Sequence, residues 1–332
     1  MQSSTSVQDA QGNSYFVGAT TTDIVPVTPG AFQTKCNGGI CGYEEVPNTT
    51  NPGPPTYTSA RIACSHAFAV KVSADGTQIL YATYLEGSYN DNAGAAGVDS
   101  SGNLFINVTT GSPDFPFTSS IAGLPAQVSA NGFTYAVVKL SADGSQLLFS
   151  DTYGLPGVQS LSGGSAVALL PDGKLLFGTT VDGTVFPTTP GAYLSARPNA
   201  SLDVAIFIWD PQTNTIIHST LIGGSDQDIM GPLKVDNEGN VYVTGYTISQ
   251  DFPVTKGAFY SPGTVASRVN TFVAKLDATL STLEFSSLFG GSYQPLPDAV
   301  ALDGSGNVYV DGQTSPNMPV NPGAFETSYS GG

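Results

Sequence analysis

Charged side chains are scarce in this chain: Asp, Glu, Lys and Arg make up 11% of 332 residues, about half the usual share. The bases are scarcest, 10 against 26 acids, which leaves a formal charge of −16. A surface so short of Lys and Arg repels phosphate backbones and anionic lipid, so nucleic acid is excluded as a partner. No apolar run approaches the length of a membrane-spanning helix, and no membrane span is predicted. The opening Met-Gln-Ser-Ser-Thr has neither a basic nor an apolar leader segment; the expectation is that an export signal lies outside this sequence. No stretch sustains a 3.6-residue apolar period, so almost no helix is expected. Without helices there is no glycine-rich phosphate loop leading into one. Histidine is nearly absent, with two copies.

What the chain has instead is glycine (39), proline (23) and an internal repeat. Five segments share one pattern: Gly12-Asn13-Ser14-Tyr15-Phe16-Val17, Gly102-Asn103-Leu104-Phe105-Ile106, Gly173-Lys174-Leu175-Leu176-Phe177, Gly239-Asn240-Val241-Tyr242-Val243 and Gly306-Asn307-Val308-Tyr309-Val310. Their first glycines are 90, 71, 66 and 67 residues apart. A Gly-Ala-aromatic triplet follows at Phe32, Tyr193, Phe259 and Phe325, but not in the second repeat. Between them, an apolar strand, a turn and a second apolar strand occur four times: 67–72 with 79–85, 135–140 with 147–153, 204–209 with 216–222, and 271–276 with 283–289. Asp75-Gly76 and Asp143-Gly144 are hairpin turns by composition, and Asp210-Pro211 suits a type I turn. A further strand of small and aliphatic residues precedes each of the last four repeats (95–99, 166–170, 233–236, 299–303).

Four short antiparallel strands per unit, repeated, predict an all-β fold: a five-bladed β-propeller with four-stranded antiparallel blades and an incomplete last blade. The expected units are residues 4–88, 89–154, 155–225, 226–292 and 293–332, with a loop insertion at 33–63 in the first. The run Asp-x-x-Gly-Asn-aliphatic-Tyr-Val-x-Gly, then Phe-Pro-Val-x-x-Gly-Ala-Phe, Phe-Val-Ala-Lys-Leu and Gly-Gly-Ser, clearest from Asp236 to Ser292, resembles the SBBP bacterial β-propeller repeat. The resemblance covers nearly the whole chain outside residues 33–63, and the second and third repeats depart from it. It implies an exported or cell-surface protein and carries over no catalytic residue.

The inner strand pair occurs five times, but the outer pair only four. Three readings follow: a ring closed with a two-stranded last blade, a piece of a longer propeller, or an open edge at Val308, Tyr309 and Val310 that accepts strands from another chain. One co-variation bears on the blades. Asp9, Asp99 and Asp236 end their first strands where Lys71, Lys139 and Lys275 stand in the third; blade 3 has Leu170 and Ile208 instead. The expectation is a partly buried Asp–Lys pair in blades 1, 2 and 4, and an Asp303 in blade 5 without its lysine.

All three cysteines fall at the insertion. Cys36 and Cys64 stand where it leaves and rejoins the blade, so a Cys36–Cys64 bridge is expected to clamp its stem by roughly 3 kcal/mol; Cys41–Cys64 and Cys36–Cys41 stay open. Three Cys with His66 match no common zinc spacing, and no metal site is expected. His218 aligns with Tyr81, Phe149 and Phe285 and reads as packing. The remaining chemistry is carboxylate. Asp91, Asp226, Asp228 and Asp298 lead into the inner strands, at a channel mouth, where acids can hold Ca²⁺ or hydrolyse glycosides. No other cofactor is expected. A surface rich in Ser, Thr, Asn and Tyr suits recognition of other protein chains, copies of itself included, or of extracellular glycan. The leading expectation is an extracellular or cell-surface scaffold; a carbohydrate-binding or carbohydrate-active protein is the alternative.

Overall fold

The computed structural model describes residues 2–37, 39–48, 56–124, 133–153, 166–195, 202–259, 269–290 and 296–313, with 316, 318, 320–321, 323–326 and 328. The expected unit boundaries at 154/155 and 292/293, and the last residues of the chain, lie outside these. Among the described residues every regular element is a strand. The chain divides into two compact units, Met1–Ile121 with Ala126–Gly154, and Ala122–Pro125 with Leu155–Gly332.

The first unit runs β1 (Gln2–Gln8), β2 (Ser14–Thr20), β3 (Ile40–Asn48), β4 (Thr56–Ala63), β5 (His66–Val72), β6 (Ile79–Tyr84), β7 (Asp91–Val98), β8 (Leu104–Thr110), β9 (Ser119–Ser120), β10 (Thr134–Leu140) and β11 (Leu147–Thr152). Blade 1 is the sheet β1-β2-β5-β6; blade 2 is β7-β8-β10-β11, with β9 added in parallel to β11. The second unit runs β12 (Ala166–Leu169), β13 (Leu175–Asp182), β14 (Leu202–Asp210), β15 (Thr215–Ile222), β16 (Asp228–Val235), β17 (Val241–Thr247), β18 (Asn270–Leu276), β19 (Leu283–Phe289), β20 (Leu296–Leu302) and β21 (Val308–Gln313). It holds blade 3, β12-β13-β14-β15, blade 4, β16-β17-β18-β19, and a two-stranded sheet, β20-β21. These antiparallel meanders are the blades of a β-propeller, four of them complete. The insertion is not an irregular loop: β3 and β4 pair as a hairpin of their own.

Local chemistry sets the turns. Asp9 Oδ1 accepts the N–H groups of Gln11 and Asn13, and the Gly12 N–H closes back on the Asp9 carbonyl. This turn needs a left-handed residue, and Gly12 takes φ +84° there. Asp99, Asp236 and Asp303 repeat the bonding. The outer hairpins of blades 3 and 4 place Asn214 and Leu280 in the left-handed region where blades 1 and 2 use Gly76 and Gly144.

Blades within a unit pack face to face. In the first unit Tyr15, Val17, Ala67 and Ala69 of blade 1 share a core with Leu104, Ile106 and Val108 of blade 2. In the second, Leu176, Ile206 and Ile208 of blade 3 meet Met230, Leu233 and Val243 of blade 4. Gly178 allows that approach, since a Cβ there would lie 2.4 Å from the Met230 side chain. The Gly-Ala-aromatic segments reach across: the Phe32 N–H donates to the Gly144 carbonyl on blade 2's outer turn, and the Tyr193 N–H to Leu280 on blade 4's.

Candidate functional site

Each blade has a hub where its first three strands meet. In blade 1 the Lys71 ammonium lies 3.5 Å from Asp9 Oδ2 and 4.8 Å from the centre of the Tyr15 ring, whose hydroxyl donates to the same oxygen at 3.0 Å. In blade 2 Lys139 lies 2.9 Å from Asp99 and 4.7 Å from the centre of the Phe105 ring. Burial raises both carboxyls, but hydrogen bonds from Asn13 and Asn103, with the lysine charges, bring them below the ordinary value. Blade 4 differs from the expected pairing. Lys275 sits over Tyr242 but bonds Glu284 Oε2 at 2.8 Å. Only this blade places an acid beside the lysine on its outer strand (Leu80, Leu148 and Ile217 stand there elsewhere), and it draws the ammonium from Asp236. Asp236 keeps the Tyr242 hydroxyl at 3.3 Å and feels Lys275 only through its charge.

Blade 3 changes the whole hub. Leu170, Leu176 and Ile208 replace the acid, the aromatic and the lysine, and Lys174 in the asparagine's place pairs with Asp172. Beside them opens a cleft of about 240 Å³ lined by Leu170, Asp172, Lys174, Ile208, His218 and Glu238. His218 thus borders a cleft, where Tyr81 is sealed in the core.

Of the four carboxylates placed at a channel mouth, Asp91 and Asp228 are fully buried first residues of their strands. Asp91 Oδ2 accepts the Gly87 N–H at 2.8 Å and the Ser112 hydroxyl at 2.9 Å; Asp228 Oδ2 accepts the Gly224 N–H at 2.6 Å and the Ser249 hydroxyl at 3.0 Å. The next acids along, Asp114 and Asp251, hold Ser88 and Ser225 in the same way. These are two copies of one latch, tying the exit of one blade's outer strand to the start of the next blade. Burial raises the Asp91 carboxyl against its hydrogen bonds. Asp226 and Asp298 are exposed, Asp298 within β20.

The cysteines pair as Cys41–Cys64, not Cys36–Cys64. The reason is the β3–β4 hairpin: Ile40 pairs with Ala63, which sets Cys41 and Cys64 at its base with Cα atoms 4.9 Å apart. Cys36 keeps its thiol. Its sulfur, a nitrogen of His66 and a carboxylate oxygen of Glu86 lie within 4.8 Å of one another. His66 and Glu86 are both buried, with His66 Nδ1 2.6 Å from Glu86 Oε2. The second Glu86 oxygen accepts the Asn37 N–H at 2.5 Å, and Gln33 holds the Glu86 backbone. Burial pushes the Glu86 carboxyl up, offset in part by Asn37 and His66. Sequence reading noted His66 beside the cysteines but missed Glu86, which takes the place of a glycine: Gly223 and Gly290 stand there in blades 3 and 4.

No curated protein matches the chain significantly. Among solved structures it is similar to the K499G mutant of NanB sialidase from Streptococcus pneumoniae, at 8% identity and TM-score 0.44, over 92% of this chain and 52% of that one. The chain therefore spans about half the length of the sialidase. It is also similar to BamB from Moraxella catarrhalis, at 11% identity and TM-score 0.22, over 75% of this chain and 78% of that one. Likenesses this weak carry no activity across. The family comparison is local: residues 219–253, from the end of β15 past β17, match the model described as SBBP: Beta-propeller repeat.

Proposed function

We propose that this protein is an extracellular or cell-surface scaffold that binds another protein chain by taking an outer β-hairpin onto β21. The observation that carries the reading is a half-built hub. Asp303 holds the Tyr309 hydroxyl at 3.1 Å, as Asp9 holds Tyr15 and Asp236 holds Tyr242, yet among the described residues no third strand brings a lysine over the ring. Tyr309 is 58% exposed, whereas Tyr15 and Tyr242 are buried. Val308 and Val310 are half-buried beside it. One hairpin with a lysine facing Asp303 covers the Tyr309 ring and satisfies the β21 edge. The Cys41–Cys64 bridge fits an oxidising compartment. The glycan reading has less support, because two of its four acids are closed in by their own hydrogen bonds.

A synthetic hairpin with the sequence of residues 270–289 is the probe. It should bind the intact protein, quench Tyr309 exposure to solvent and bind more weakly when its lysine is replaced by leucine. Val310→Pro, which removes an edge N–H, should abolish binding. No binding of the hairpin, together with a protein that stays monomeric at all concentrations, overturns the reading.

A further inference from the structure

We infer that Cys36, His66 and Glu86 form a site for one zinc-class transition-metal ion. Three different parts of the chain converge on it: the segment before β3, the first residue of β5 and the second residue after β6. The donors are a thiol, an imidazole and a carboxylate. This set suits a borderline ion such as Zn²⁺ and excludes Ca²⁺ and Mg²⁺, which take oxygen ligands.

A second observation, independent of the clustering, points the same way. His66 Nδ1 and Glu86 Oε2 are buried and 2.6 Å apart, yet neither has a hydrogen-bond partner. The two atoms form an ion pair when the imidazole is protonated; with a neutral imidazole that accepts at Nδ1 they are two acceptors facing each other, an arrangement a cation satisfies. One cation between the nitrogen, the carboxylate oxygen and the sulfur gives all three atoms a common partner. Coordination at roughly 2.1 Å to nitrogen and oxygen and 2.3 Å to sulfur needs donors about 3.3–3.7 Å apart. The imidazole and carboxylate would then separate by less than about 1 Å.

The surroundings fix the donors in place. Gln33 bonds the Glu86 backbone in both directions, Asn37 holds the distal carboxylate oxygen, and Asn90 holds the Ser65 N–H next to His66. The Cys41–Cys64 bridge occupies the other two sulfurs, which leaves Cys36 as the thiol. Comparison among the repeats isolates the feature to one blade. At the His66 position blades 2, 3 and 4 carry Thr134, Asp203 and Asn270, and at the Glu86 position blades 3 and 4 carry glycine. Blade 1 alone combines His, Glu and a nearby thiol. Three protein ligands leave a fourth position for water or an outside donor.

The test uses the full, disulfide-bonded chain, stripped with a chelator and titrated with Co²⁺ or Zn²⁺ alone. One ion should bind per chain. Co²⁺ should give a thiolate-to-metal charge-transfer band, and Zn²⁺ should bleach it and protect Cys36 from alkylation. Cys36→Ser should abolish the band, while His66→Gln and Glu86→Gln should weaken binding by at least about 10-fold. If either buried variant fails to fold, the His66→Asn/Glu86→Gly double variant, which gives blade 1 the residues of blade 4, supplies the comparison. A chain that shows no charge-transfer band, or binds Zn²⁺ equally well as Cys36→Ser, overturns the site.

Discussion

In blade 2 the Lys139 ammonium lies 2.9 Å from Asp99 and above the ring of Phe105. At the same three positions blade 3 has Ile208, Leu170 and Leu176, all buried. Both arrangements close the junction of strands one, two and three, the first by charge and hydrogen bonding, the second by apolar contact. A mixture would leave one charge desolvated without a partner, which costs more than either complete set. The difference has a consequence for shape. The polar hub fills its space with a long lysine and an aromatic ring, whereas the apolar hub borders an open cleft of about 240 Å³.

The most damaging way to break the comparison is to place half of one hub in the other. Ile208→Lys puts an ammonium at a position 3% exposed, beside Leu170 and Leu176. We expect a loss of about 3–5 kcal/mol in urea unfolding, as for other unpaired buried charges. A smaller effect should follow in blade 2, where Lys139 and Asp99 retain some solvent contact. Lys139→Ala should cost about 1–2 kcal/mol, through the lost pair and the lost packing of the lysine stem on Phe105. Installing the blade 3 set with Asp99→Leu/Lys139→Ile should cost less than the sum of the single changes, by about 1 kcal/mol or more in a double-mutant cycle. Strict additivity would mean that the two hubs are not alternatives.

The smallest effect is on pH dependence. The Asp99 carboxyl titrates below its unfolded value of about 3.9. Its contribution is therefore complete above that pH and is lost as pH falls through the lower, folded value. The Asp99→Leu/Lys139→Ile protein should lose less stability between pH 5 and pH 2, about the pH range of carboxylate titration, than the parent does. Equal acid limbs in the two proteins would show that the hub charge contributes nothing.

Much of the fold was legible because its signals are local. The Asp-x-x-Gly turns bond within a few residues, and each recurs with its strand pair at similar spacing. The hub was partly legible, because the exchange of Asp–Lys for Leu–Ile appears within a single chain. Its details were not. Glu284 captures Lys275 because it occupies an outer-strand position that is aliphatic in the other blades, a contact visible only once strands are paired. Asp91 and Asp228 looked like exposed acids before their strands. Their burial follows from the strands beginning several residues earlier than composition indicated, which turns these carboxylates inward to bond Gly87 and Gly224.

The sequence alone determined the strand repeats and the turn chemistry, since alternation and glycine placement act over a few residues and need no distant partner. Tertiary structure alone decided which cysteines pair and what surrounds His66. A hairpin register brought Cys41 to Cys64, and blade closure brought Glu86 to His66 and Cys36. Such meetings depend on how separate strands align in space, and spacing along the chain does not encode that.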